Sequence, residues 1–333
     1  MSLNEKIYSR LNQVSMGLIL YTLLVILWGA WVRISHSGDG CGDTWPLCQG
    51  KLIPQEAVQK TWVEYSHRFT SGLYGVLVVG IYFWIKRNFS SRTEVIFKSS
   101  SLKWARLVLL FMITEALLGA KLVLFHLVNQ NDSVWRLVAM SLHQLNSFLL
   151  VAFTVRLYCS SLEWGLEGGK SEITFKGKIK NLRFPLPLYF ILFLAMTGAW
   201  AALSTTLFPS ISLLEGLLKD FSADSHYLLK IRVTHPILGI LLGSSMAIFF
   251  YKKSQHYFSL STQSRLHYLL YKTSFLTSMA ITLAIVIGII TLLTLSPLAL
   301  KILHLTWAHL LWALFICYYH FKGLEESLQI QQK

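Results

Sequence analysis

The chain has 333 residues, 54% of them hydrophobic and only 14% charged, with a formal net charge of +14. A soluble domain carries about 25% charged residues, so the composition excludes an ordinary soluble enzyme and points to an integral membrane protein. The basic surplus does not read as nucleic-acid binding, because most of it falls in alternate connections between apolar runs.

Those runs approach the ~20 residues that cross a hydrocarbon core. They predict eight helices at 15–33, 62–85, 104–124, 136–158, 186–207, 230–251, 273–296 and 302–321. The first follows a short basic start, Lys6 and Arg10, and runs on to Trp31. It reads as a retained span rather than a cleaved signal peptide. The stretch before it is too short for a transit peptide, which favours a bacterial inner membrane over an organelle. The N-terminal tail, 86–103, 159–185, 252–272 and the C-terminal tail hold 18 lysines and arginines, against 4 in the intervening connections. The positive-inside rule then places both termini in the cytoplasm. No connection is long enough for a separate catalytic domain, so any chemistry belongs to the bundle or its rim.

The first outer connection contains "GDGCGDTWPLCQG", with Cys41 and Cys48 among only four cysteines in the chain. A metal site, a redox pair and a structural staple are all open to such a pair. The second span then opens "TWVEYSHRF", which places Glu64 and His67 three apart on one helix face. A carboxyl at this depth is costly and marks a functional candidate; the alternative is an interfacial residue favouring the helix start. Glu115 and Lys121 in the third span are further charges without an assigned role.

The chain also repeats itself. "GAWVR" from Gly29 and "GAWAA" from Gly198 are offset by 169, as are Gly119 and Gly288. His67 and His235 are offset by 168, and His143 and His309 by 166. The repeat predicts two four-helix halves, 1–158 and 186–333, joined by a basic linker at 159–185. Because four spans return the chain to its starting side, the halves share one orientation. Each half then offers one histidine from its second helix and one from its fourth, at similar depth. Facing imidazoles in a helical bundle are an arrangement that holds haem iron from both sides. His36, His126, His226, His256, His267, His304 and His320 read as surface or span-end residues. Arg33, Arg68, Arg136 and Arg232 lie near the outer ends, where they either pair with haem propionates or snorkel to headgroups. Glu64 corresponds in the repeat to Arg232, so the halves differ beside the histidine, which points to one reactive and one holding site.

At this point the motifs resemble a known family. "GAWVRISHSGDGCGDTWPLCQGKLIP" with "WVEYSHRFTSGLYGV" is similar to the first outer loop and second helix of heme A synthases; "TEALLGAKLV" and "LHQLNSFLL" extend the likeness. The resemblance implies an all-α membrane enzyme with eight spans that oxidises a methyl group of heme O to the formyl group of heme A. It implies that His67 and His143 line the substrate site, that His235 and His309 ligate a resident heme b, and that Glu64 is the catalytic carboxylate. Heme O synthase and an unidentified electron acceptor are the implied partners, beside the lipid bilayer. Two positions depart from the pattern: Pro236 follows His235 and should kink its helix, and the loop 208–229 lacks cysteine.

The cysteine pair reads as a disulfide shaping a lid over the substrate site. It faces the oxidising side, and His36 alone does not complete a zinc set. A redox role stays open. The competing readings are a dihaem b-type cytochrome that moves electrons without altering haem, and a repeat transporter without haem.

Overall fold

The computed structural model describes residues 3–55, 58–90, 95–166 and 185–331. It is helical, with only an isolated bridge between Cys48 and Lys51 and no strand among the described residues. The helices are α1 (Leu3–Ile34), α2 (Gln59–Ser90), α3 (Val95–Leu124), α4 (Val134–Leu166), α5 (Leu186–Leu207), α6 (Leu213–Phe221), α7 (Tyr227–Arg232), α8 (Thr234–Leu260), α9 (Arg265–Leu293) and α10 (Leu298–Gln331). Among the described residues, eight helical segments are long and apolar enough to cross a membrane, with α7 and α8 counted as one. A membrane span must satisfy every backbone amide internally, which is why apolar length alone locates these helices.

Helix ends differ from the hydropathy boundaries. Lys86 and Arg87 lie on α2, Lys252 and Lys253 on α8, and Arg265 and Lys272 on α9, so these basic residues extend helices rather than fill loops. Helical hydrogen bonding continues where the apolar composition stops. The expected linker begins eight residues later than predicted, since α4 runs to Leu166; most of it, 167–184, lies outside the described residues. The sixth span is interrupted rather than continuous. Val233 separates α7 from α8, and Pro236 sits in the first turn of α8. That is the position where a missing amide hydrogen is best tolerated.

Helices α1–α4 pack mainly on one another, as do α5 and α7–α10; α4 meets α5 and α10, and α1 meets α10 across the join. The apolar cores occupy one end of this arrangement. Leu11, Leu18, Tyr74, Val78, Ile85, Trp104, Val108 and Leu157 fill the first set of helices away from the cysteine loop. Phe250, Leu270, Trp312, Phe315 and Tyr318 do the same in the second, with Phe148 and Val151 of α4 at the join. The end nearest the cysteine loop has no comparable core and is lined instead by glycine and histidine.

Candidate functional site

Four histidines line that end, and each is seated against a glycine of a neighbouring helix. A methyl group added at Gly29 of α1 would lie 3.0 Å from Cε1 of His67 on α2. At Gly198 of α5 it would lie 3.0 Å from Cε1 of His235 on α8. Gly119 of α3 faces His143 of α4 at 3.7 Å, and Gly288 of α9 faces His304 of α10 at 3.2 Å. All four imidazoles are partly accessible. The glycines that repeat along the sequence are therefore those that leave room for the rings.

The structure does not bring His235 and His309 together. Opposite His235 stands His304, with ring centroids 6.1 Å apart. His309 is 0% exposed. Its Nδ1 lies 2.9 Å from the Leu305 carbonyl and its ring stacks on Phe148 at 4.6 Å, at the join between the two sets of helices. Solvent does not reach this ring, and its Nε2 has no hydrogen-bond partner among the described residues. The sequence pairing failed because it counted across connections of unequal length: residues 125–133 join α3 to α4, but only 294–297 join α9 to α10. The local text holds the signal. "LHQLNSFLL" from Leu142 and "LHLTWAHLL" from Leu303 superimpose His143 on His304 and Phe148 on His309, at an offset of 161.

Among the four, His143 alone has a carboxylate beside its ring. Glu115 of α3 places Oε1 3.5 Å from His143 Nδ1. The Ser147 hydroxyl donates to the same carboxylate, and the Asn146 amide donates to Oε2 at 2.6 Å. Thr114 in turn donates to Asn146 Oδ1 at 2.7 Å. The repeat-related positions are Ala284, Ala308 and Trp307, which cannot build this network. On the other side, the Thr197 hydroxyl meets His235 Nδ1 at 3.2 Å.

Glu64 is buried, and its carboxylate is fully engaged. Oε2 accepts the Cys41 amide hydrogen at 2.8 Å; Oε1 accepts from Arg68 Nε at 3.1 Å and Nη2 at 2.5 Å. Arg68 also donates through Nη1 to the carbonyls of Thr44 and Leu47, at 2.6 and 2.7 Å. Cys41 and Cys48 are disulfide-bonded. Gly40 lets the loop close on α2: a Cβ there would sit 2.4 Å from the Lys60 carbonyl oxygen. Glu64 and Arg68 thus clamp the disulfide loop above His67.

Arg232 does the corresponding task with the opposite charge. It ion-pairs with Asp220 at 2.6 Å and donates to Ser210 Oγ and the Gly216 carbonyl. Burial raises the Asp220 carboxyl above its ordinary value, against the pull of Arg232. The loop held here contains α6, which hydropathy did not reveal. Its Ser212–Glu215 capping box was legible: Ser212 Oγ accepts the Glu215 amide hydrogen at 3.2 Å, and Glu215 Oε2 accepts that of Ile211 at 2.7 Å. His320, expected at the surface, is buried and lies 2.8 Å from Glu163.

Residues 12–316 match the COX15-CtaA family, described as cytochrome oxidase assembly protein. The chain is 34% identical over 310 residues to a Thermus thermophilus protein named protoheme IX farnesyltransferase, covering 93% of this chain and 48% of that one. It is 31% identical over 178 residues to a heme A synthase of an Exiguobacterium species, covering 54% and 53%. It is 44% identical over 85 residues to a heme A synthase of Symbiobacterium thermophilum, covering 26% and 28%. The chain spans about half the length of the first curated relatives it matches.

The seats and the clamp generate two expectations. Gly198→Ala should destabilise the detergent-purified protein by about 1–3 kcal/mol through overpacking against His235. Gly119→Ala, with room for the methyl, should be neutral or stabilising by up to ~1 kcal/mol; thermal unfolding compares them. Glu64→Ala should speed hydrogen exchange at the Cys41 amide by about ten-fold as its acceptor is lost, while Glu64→Gln speeds it less. Equal, unchanged exchange in both variants would show that the clamp does not hold the loop.

Proposed function

Because the chain belongs to the COX15-CtaA family of cytochrome oxidase assembly proteins, we propose that it is a heme A synthase, oxidising a methyl group of heme O to the formyl group of heme A for cytochrome oxidase assembly. Relatives that carry the heme A synthase name support this reading. The observation that carries it is the set of four glycine-seated histidines gathered at the end the apolar cores leave open.

In this reading, helices 1–158 form the substrate half and 186–333 the half that holds a resident heme b. His67 and His143 hold the iron of heme O. His235 and His304 would hold heme b, in place of the expected His235 and His309. Their residues fit that group: imidazole nitrogens are good haem-iron ligands, and ring centroids 6.1 Å apart leave the space of a metal atom between them. The Thr197 hydroxyl on Nδ1 fixes the His235 ring and leaves Nε2 to the iron. When bound, haem iron supplies the redox chemistry that no side chain offers against a C–H bond.

The protein's own residues orient and shield. Glu115 fixes the orientation of the His143 ring, as carboxylates do for metal-bound imidazoles. Glu64 remains the nearest carboxylate along α2 to His67 and serves as proton acceptor once Arg68 and the loop release it. The Cys41–Cys48 loop covers the site and keeps bulk water from it. We place this loop on the outer face of a bacterial inner membrane and both termini in the cytoplasm, from the distribution of lysine and arginine. The partners are the bilayer, an electron acceptor, and a heme O synthase. A relative named for protoheme farnesylation extends to twice the matched length, which fits a substrate handed over by such an enzyme.

One observation favours a second reading, a dihaem cytochrome without haem modification: Glu64 is fully engaged in the loop clamp. Chromatography of haem extracted from cells supplied with heme O separates the two. Heme A should appear with the wild type and fall by at least about ten-fold with His67→Ala; unchanged heme O with the wild type would overturn the synthase reading. Soret absorbance of the purified protein should fall by about half in His304→Ala and stay within about a tenth of wild type in His309→Phe; the reverse order would restore His309 as the ligand.

A further inference from the structure

Of the four arginines near the loop end, Arg68 and Arg232 are committed to their loops. The other two each keep a buried nitrogen without a partner among the described residues. Arg33, at the end of α1, has a buried Nη1 without a hydrogen-bond partner among the described residues. Arg136, 2% exposed on α4, uses Nη1 on the carbonyls of Asn129 and Asn131, while its Nε is buried and unpartnered. Arg33 is close enough to Arg136 for their charges to repel, and Lys301 of α10 is close enough to Arg33. The carboxylate nearest Arg136, Asp132, is more than half exposed and faces His226 at 3.4 Å. Three cations from α1, α4 and α10 thus converge where those helices meet, and no buried carboxylate among the described residues is paired with them. Gathering like charges out of water is costly unless an anion completes the group.

Their positions say which anion. Arg33 lies one helical turn beyond Gly29, the seat of His67, and Arg136 lies two turns before His143. Lys301 lies nearly one turn before His304. The cluster therefore sits on the loop side of the histidines, at the rim of the first site. Its counterparts at offsets of 169 and 161 are Ala202, Pro297 and Met140, all uncharged, so the cluster belongs to one site and not to its repeat.

We propose that Arg33, Arg136 and Lys301 form a single oxyanion site that holds a propionate carboxylate of the substrate haem, with Lys301 reaching it from the second half. This rests on the haem reading above. The chemistry would equally suit a phospholipid phosphate, so the test separates the two sources. Full-length protein holding its resident haem is placed in phosphatidylcholine nanodiscs and titrated with ferric haem or its dimethyl ester, which lacks the charged carboxylates. Wild type should bind ferric haem about ten-fold tighter than the ester. Lys301→Met and Arg33→Met should lose most of that preference with unchanged affinity for the ester. Equal weakening of both ligands would reduce the residues to packing and overturn the assignment. So would unchanged binding of both, accompanied by loss of phosphatidylglycerol that wild type retains through delipidation. Wild type that makes heme A but binds haem and ester alike would overturn this site alone. Wild type that binds neither would overturn the haem reading, and this site with it.

Discussion

An imidazole can stand between two tightly packed helices only where the facing helix gives up its side chain. That steric exchange, a glycine on one helix for a histidine on the next, occurs at Gly29 and His67, Gly119 and His143, Gly198 and His235, and Gly288 and His304. The rest of the architecture is arranged around these seats. The large apolar side chains are collected at the opposite end, where Trp104, Trp312, Phe250 and Phe315 are almost fully buried. Close packing of large side chains, which holds helices together in lipid, is therefore concentrated at one end, and the histidine end is filled less densely.

The two sets of helices use the same seats but dress them differently. Each carries, three residues before its first histidine, a charged residue that holds the adjoining loop. Glu64 does so by accepting from Cys41 and Arg68; Arg232 does so by donating to Asp220 and the carbonyls around α6. A loop of this size needs such a clamp, because little apolar surface is available to hold it. The disulfide restrains the first loop further, while α6 supplies order in the second. Among the described residues, the carboxylate network at the second histidine belongs to the first set alone, and Arg33 and Arg136 lie at its rim with Lys301 of the second set beside them. The proposed division into a substrate site and a cofactor site draws on this asymmetry.

Much of this was legible in the sequence, for physical reasons. Apolar length located the spans, because hydrocarbon forbids unsatisfied backbone. The glycine repeat was legible because three of the four seats, at Gly29, Gly198 and Gly288, leave no slack for a side chain, and Gly119 keeps the same position at a looser 3.7 Å. Helix ends were not legible from hydropathy, since Lys86, Lys252 and Arg265 continue helices beyond the apolar run. The repeat offset led to His309, whereas the fold sets His304 opposite His235, because a shorter α9–α10 connection shifts the register; local alignment of Leu142–Leu150 with Leu303–Leu311 shows that shift. Hydrogen bonds that join residues far apart in the chain, such as Cys41 to Glu64, have no periodic signature. The role of Glu64 as a clamp therefore emerged only from the fold.

In the proposed function the four seated histidines hold two irons, one between His67 and His143 and one between His235 and His304. Anomalous scattering at the iron edge, from crystals of the haem-loaded protein, locates the metals directly. The account predicts two iron peaks, one within bonding distance of each pair. A peak bonded to His309, or no peak between His235 and His304, would contradict it.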